Sequence, residues 1–102
     1  MLVELSVIPV GDDERLSDRI AEILKLVDRS GLPYQLTPSG TCIEGDWEEL
    51  MALVHECHQQ ARQHADHVFT LLKIEDEAGA EKKLVTNVSS VAEKVGKPLA
   101  RV

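Results

Sequence analysis

The sequence predicts an α/β (α+β) fold, a ferredoxin-like βαββαβ sandwich with an antiparallel four-stranded sheet and an additional C-terminal helix. Three observations lead there. Short runs rich in Val, Ile and Leu with period-two alternation are interleaved with longer runs of helical spacing, in the order strand, helix, strand, strand, helix, strand, helix. That order divides into two strand–helix–strand halves, whose simplest packing sets two helices on one face of a single sheet. The chain has 102 residues, 43% hydrophobic but only 3% aromatic, so a single domain over 1–102 must build its core from Leu, Val, Ile and Ala.

Residues 2–9 form the first strand, with Val3, Leu5 and Val7 on one wholly apolar face and Leu2, Glu4, Ser6 and Ile8 on the other. Gly11, Asp12 and Asp13 read as a turn and helix start. Apolar residues at 16, 20, 23, 24 and 27 have the spacing of an amphipathic helix, and Gly31 stands where a left-handed C-terminal cap is expected. Residues 32–37 suit a strand near a sheet edge because of Pro33. The turn Pro38-Ser39-Gly40 joins them to a second short strand, 41–45, as a hairpin.

Asp46 is placed to cap the next helix, whose inner face carries Leu50, Val54, Cys57 and Ala61 and which ends near His64. In the fourth strand, 68–75, Val68, Thr70, Leu72 and Ile74 alternate with Phe69, Leu71, Lys73 and Glu75. The last helix aligns Leu84, Val88, Val91 and Val95 and stops at Gly96 and Pro98. Its valine-rich face calls for a covered sheet edge or an association surface. With both main helices on one face, alternation leaves Glu4, Ser6, Leu71, Lys73 and Glu75 on the open face, beside Leu2, Ile8 and Phe69.

Charge excludes some partners. Eighteen acidic against eleven basic residues give a formal net charge of −7, which repels phosphate backbones and anionic lipid surfaces, so no nucleic acid and no membrane are expected. The apolar N-terminal stretch has no basic region before it and ends at Pro9 and Gly11, which reads as a strand rather than a signal peptide. Two cysteines without CxxC spacing, Cys42 and Cys57, fit a reduced, cytoplasmic chain better than a disulfide framework. Small size limits burial, which favours an oligomer.

Catalytic and metal signatures are weak. No G-x-S-x-G, GxGxxG or Walker motif is present, and Cys57 lies on an apolar helix stripe where it reads as packing. His55, His58, His64 and His67 lack the spacing of a zinc site, so no metal and no cofactor are expected and solvated helix histidines are favoured. What remains is Glu4, Ser6, Tyr34, Thr41, Glu44 and Lys73, all from strands or strand ends. Such a set suits a small amine-bearing or cationic heteroaromatic ligand, and equally a polar oligomer interface with Glu4 paired to Lys73.

The segments VELSVIPVG, SGLPYQLTPSGTCIEGDWEELM, HVFTLLKIED and KKLVTNVSSVAEKV resemble the thiamine-binding protein family of the YkoF-like, thiamine/hydroxymethylpyrimidine-binding superfamily over nearly the whole chain. The most specific part is Gly31-Leu32-x-Tyr34-x-Leu36-Thr37-Pro38-x-Gly40-Thr41-x-x-Glu44-Gly45. The resemblance implies a homodimer or homotetramer that assembles through its sheets and binds thiamine or a hydroxymethylpyrimidine-like ligand without catalysis. By position it carries ligand contacts to Glu4, Ser6, Tyr34, Thr41, Glu44 and Lys73. Tyr34 would stack on the ring, Glu4 and Glu44 meet the amino group or cation, and Ser6 and Thr41 orient the pyrimidine. One departure stands out. Where the family shows a basic turn after the fourth strand, this chain has residues 74–80 as IEDEAGA, which argues against phosphorylated thiamine. The alternative from another class is a structural or regulatory interaction module; a thiamine-salvage enzyme would need a nucleophile–base pair that the sequence does not offer.

Overall fold

Four strands and three helices follow one another in the expected order: β1 (Leu2–Val10), α1 (Leu16–Arg29), β2 (Tyr34–Thr37), β3 (Gly40–Glu44), α2 (Trp47–Arg62), β4 (His67–Glu75) and α3 (Lys83–Val95). The coordinates are a computed structural model that describes residues 1–11 and 15–101. The Asp12–Asp13 helix-start signal lies outside the described residues. The sheet order is β2-β3-β1-β4, with every neighbouring pair antiparallel. This is the ferredoxin-like arrangement, in which the two central strands are the first of one half and the first of the other.

Local chemistry sets the ends of these elements. Gly31 follows α1 with a φ of 78°, a left-handed conformation that costs glycine little and other residues more. At the start of α2, Asp46 Oδ1 accepts from the Glu49 backbone N–H at 2.8 Å, and Glu48 and Glu49 place negative charge at the positive end of the helix. β2 begins at Tyr34, two residues later than its apolar start suggests. Pro33 has no N–H to give the ladder and contributes only its carbonyl, which accepts from Glu44 N at 2.9 Å.

The core lies between one sheet face and the helices α1 and α2. Val3, Leu5 and Val7 of β1 meet Ile23 and Val27 of α1, Ile43 of β3, and Leu50, Leu53, Cys57 and Ala61 of α2. On α2 the buried stripe includes Leu53, with Val54 only partly covered, so the helix is turned slightly from the face its spacing suggests. Burial, with a smaller push from Glu56, raises the Cys57 thiol to about 11, which makes it an inert packing group.

α3 differs from the other two helices in having no buried residue. It lies across one end of the open sheet face, and Val85, Val88, Val91 and Val95 remain exposed. The expectation that its valine face would be covered is not met within one copy of the chain. Trp47, the first residue of α2, is 53% exposed.

Candidate functional site

Strand register places the open face residue by residue. Glu4 stands opposite Lys73 on β4 and opposite Cys42 on β3, and Leu2 stands opposite Glu75 and Glu44. Further along, Ser6 faces Leu71 and Ile8 faces Phe69. From β2, Gln35 pairs with Cys42 and so joins the same face, as Thr37 does through Gly40. α3 roofs the end of this surface and leaves a cavity of about 470 Å³ between helix and sheet. Its floor includes Leu2, Glu4, Cys42 and Lys73, and its far wall Leu84, Asn87 and Val88. That size falls within the range of about 300–1,000 Å³ usual for small-molecule sites.

The six candidate residues do not form one site. Glu4 and Lys73 share the large cavity, and among the described residues neither forms an ion pair, so both charged ends are available. The anticipated Glu4–Lys73 salt bridge is therefore not made, although the two residues are register partners. Cys42, between them, has its thiol pushed up by burial and by Glu4 and pulled down by Lys73. Lys83, Asn87 and Arg101 also line this cavity and were not singled out by sequence; their position depends on α3 folding back, for which no local signal exists.

Tyr34 and Thr41 lie on the other side of the sheet. Tyr34 pairs with Ile43, a core residue, and its hydroxyl donates to Asp28 Oδ1 of α1 at 2.8 Å, which raises the phenol above its ordinary value. Thr41 pairs with Leu5 and Leu36 and is 5% exposed. Within one copy of the chain Tyr34 and Thr41 therefore do not share a pocket with Glu4 and Lys73, because strand alternation sends the two sets to opposite faces. Ser6 sits between the two sides, its Oγ donating to the Ser39 carbonyl at 3.0 Å.

Glu44 has a structural task. Its Oε2 accepts from Lys83 N at 2.6 Å and its Oε1 from Leu84 N at 3.5 Å, so a carboxylate from β3 satisfies the first-turn N–H groups of α3. No residue of its own caps that helix by a side chain, since Lys82 at its N-cap is left-handed with a φ of 57°. A second tie holds the same turn. Lys83 Nζ reaches Glu75 at 2.9 Å and Glu77 at 2.6 Å, and Asn87 Nδ2 donates to Glu75 Oε1 at 3.2 Å. The acidic 75–77 run is therefore occupied by a lysine.

These ties predict how α3 behaves. Glu44→Ala is expected to weaken its docking by about 1–2 kcal/mol, the usual worth of a helix cap, and to raise amide exchange across 83–95 while β1 and α2 stay protected. Acid should act alike. The Lys83 and Asn87 hydrogen bonds hold the Glu75 carboxyl below its ordinary value, so its contribution is present at neutral pH and is lost as pH falls through that lowered pKa. The Lys83 ammonium is held above its ordinary value by Glu77 and Glu75, so its share is lost only as pH rises through the raised pKa. Unchanged exchange of α3 in Glu44→Ala, or at about pH 3, would contradict this account.

Other polar clusters look structural. Glu22 meets Arg19 at 3.4 Å, Gln60 at 3.3 Å and His64 at 3.6 Å across α1 and α2, and His58 Nδ1 lies 2.6 Å from Thr70 Oγ1. Among the described residues no group of three or more His, Cys, Asp or Glu is placed to hold a metal ion, and no helix is long and apolar enough to cross a membrane.

Comparison with known proteins gives consistent results. A UPF0045 protein of Methanothermobacter thermautotrophicus is 36% identical over 95 residues, covering 90% of this chain and 96% of the relative. A UPF0045 protein of Mycobacterium bovis is 33% identical over 92 residues, covering 89% and 90%. Among solved structures, MJ1052 of Methanocaldococcus jannaschii superposes with a TM-score of 0.83 at 24% identity, over 90% of this chain and 95% of that one, and shares the fold. TM0486 of Thermotoga maritima, a protein proposed for thiamine biosynthesis or salvage, superposes with a TM-score of 0.76 at 29% identity, over 88% and 95%. The family described as "Thiamine-binding protein" matches residues 3–92, and with nine-tenths of its length accounted for in this way the chain belongs to that family.

Proposed function

We propose that this chain is a non-enzymatic, cytoplasmic binding protein for thiamine or a related hydroxymethylpyrimidine compound, and that the ligand occupies the large cavity under α3. The observation that carries the reading is the register pair Glu4 and Lys73. It sets an uncommitted acceptor beside an uncommitted donor on the floor of a cavity whose other walls include Leu2, Leu84 and Val88. An aminopyrimidine needs both kinds of partner, because its exocyclic amine donates and its ring nitrogens accept. Glu4 takes the amine, or the thiazolium charge of thiamine, and Lys73 a ring nitrogen. Membership of the thiamine-binding family supports the ligand class.

Self-association accompanies this function. β4 is a nine-residue edge strand, and on the open face it exposes Phe69 and Leu71 beside Ile8 and Val10 of β1. A long edge and an apolar patch of this kind are normally covered in a stable protein. A homodimer or homotetramer assembled through this surface covers both.

Isothermal titration with thiamine and with hydroxymethylpyrimidine tests the ligand. Saturable binding is expected, weakened at least about tenfold, or roughly 1.4 kcal/mol, by Glu4→Gln, with the oligomer mass by sedimentation unchanged. Absence of heat at millimolar ligand would exclude the reading. Loss of the oligomer in Glu4→Gln without loss of a ligand signal would favour an interaction module.

A further inference from the structure

α3 is attached to the molecule unlike any other element. It has no buried residue, whereas α1 and α2 each bury a stripe against the sheet. Its polar ties all fall within 83–87: the Glu44 carboxylate accepts from Lys83 N and Leu84 N, Lys83 Nζ reaches Glu75 and Glu77, and Asn87 Nδ2 donates to Glu75. Among the described residues, no hydrogen bond or ion pair joins 88–95 to another element. The helix is fastened at one end.

The chain that leads into α3 is a tether rather than a support. Residues 76–82 run from the end of β4 to the first turn of the helix, with left-handed backbone at Gly79 (φ 76°) and at Lys82 (φ 57°). A lysine in that conformation is held there by its surroundings, since the left-handed region crowds its Cβ. Two of the three fastening carboxylates belong to the sheet, because Glu44 ends β3 and Glu75 ends β4. Breaking a few polar bonds therefore frees α3 without disturbing the core. An element with so little apolar burial opens at a far lower free energy than the whole fold, and thirteen residues are marginal as a helix once undocked.

We propose that α3 is a hinged lid, latched at 83–87 on Glu44 and Glu75 and swinging on 76–82, whose opening admits a small molecule to the cavity floor at Glu4, Cys42 and Lys73. For its purpose the proposal rests on the reading of this cavity as a ligand site, but the motion is tested with no ligand present. The closed lid supplies the Leu84 and Val88 wall, so an occupant that touches this wall favours the closed form and shifts α3 toward it.

Cys42 reports the opening, because it lies on the cavity floor, while Cys57, fully buried in the core, reports only unfolding of the whole chain. Labelling of the full chain with N-ethylmaleimide, followed by mass spectrometry of the two cysteine peptides, measures both rates. Glu44→Ala and Lys83→Met each cut one part of the latch. Glu44→Ala should speed Cys42 labelling about fivefold or more, the equivalent of a lost helix cap, and Lys83→Met should act in the same direction, with Cys57 unreactive in both. Burial, Glu4 and Lys73 set the Cys42 thiol, and neither altered residue is among them, so a faster rate reports access.

Equal Cys42 rates in the wild type and both variants overturn the lid. Labelling of Cys57 in step with Cys42 also overturns it, since the whole fold would then be opening. So does a Cys42 rate that falls with protein concentration and ignores the latch variants, because the cover would then be a second copy of the chain. Failure of the ligand reading looks different. Millimolar thiamine would leave the wild-type Cys42 rate unchanged while Glu44→Ala and Lys83→Met still raised it, an outcome that supports the lid and removes only the ligand.

Discussion

Leu50→Ala is expected to destabilise the fold by about 2–5 kcal/mol, the range for emptying a buried leucine site. Leu50 is fully buried where α2 meets the sheet, in the cluster that holds Val3, Ile43 and Cys57. Its loss cannot be repaired by collapse. Neighbours on the β1 and β3 side are fixed by ladder hydrogen bonds, and the core has almost no aromatic rings to swing into the space. A domain of this size typically has about 5–15 kcal/mol of total stability, so the mutant should sit near the edge of folding. Urea denaturation followed by circular dichroism measures the change, and a midpoint within error of wild type would show that the packing around α2 is looser than described.

Gly40→Ala is expected to cost about 1–3 kcal/mol, the range for forcing extra volume into a packed place. The reason is steric rather than conformational. The added Cβ would lie 2.9 Å from the Leu5 carbonyl oxygen, a backbone atom that can move only by bending β1. Gly45→Ala is the control. There the new Cβ meets Leu32 side-chain atoms at 3.3 and 3.4 Å, which can give by rotation, so a smaller loss is expected. Denaturation midpoints of the two variants should rank Gly40→Ala below Gly45→Ala; the reverse order would mean that the hairpin tip does not press on β1.

Both predictions concern residues whose importance the sequence showed only in part. Leu50 was legible because it falls on a helical stripe with Cys57 and Ala61, and periodicity reports which face of a helix is buried. Gly40 was legible as a turn residue, but the contact that makes it necessary spans the distance between a hairpin tip and another strand. No local pattern reports such a contact. The open-face assignment of Glu4 and Lys73 agrees with the structure for a similar reason to Leu50: alternation in a strand fixes sides, and the two register partners line the cavity on that face.

The candidate site was less legible. Glu4 and Lys73 come together because they are on facing positions of adjacent strands, which the fold class anticipates. Glu44 is on the same face, yet its carboxylate is taken by backbone N–H groups of α3, thirty-nine and forty positions away. Tyr34 belongs to the most distinctive stretch of sequence and was the best candidate for a ring contact, but it bonds to Asp28 on the helix side. A motif marks residues that matter together without saying whether they do so in one pocket.

The sequence by itself determined the element order, the βαββαβ layering, the core stripes of α1 and α2, the alternation of sides along β1 and β4, and membership of a family. These follow from periodicity, capping chemistry and turn residues, all of which act over a few neighbouring positions. Only the tertiary structure decided that Glu4 and Lys73 share a cavity while Tyr34 and Thr41 lie on the helix side of the sheet, and that α3 roofs that cavity through Glu44 and Lys83. Those facts depend on where the third helix docks and where the β1–β3 ladder stops. Both are set by contacts between residues far apart in the chain, whose energies are a small difference among many alternatives that no short window of sequence can rank.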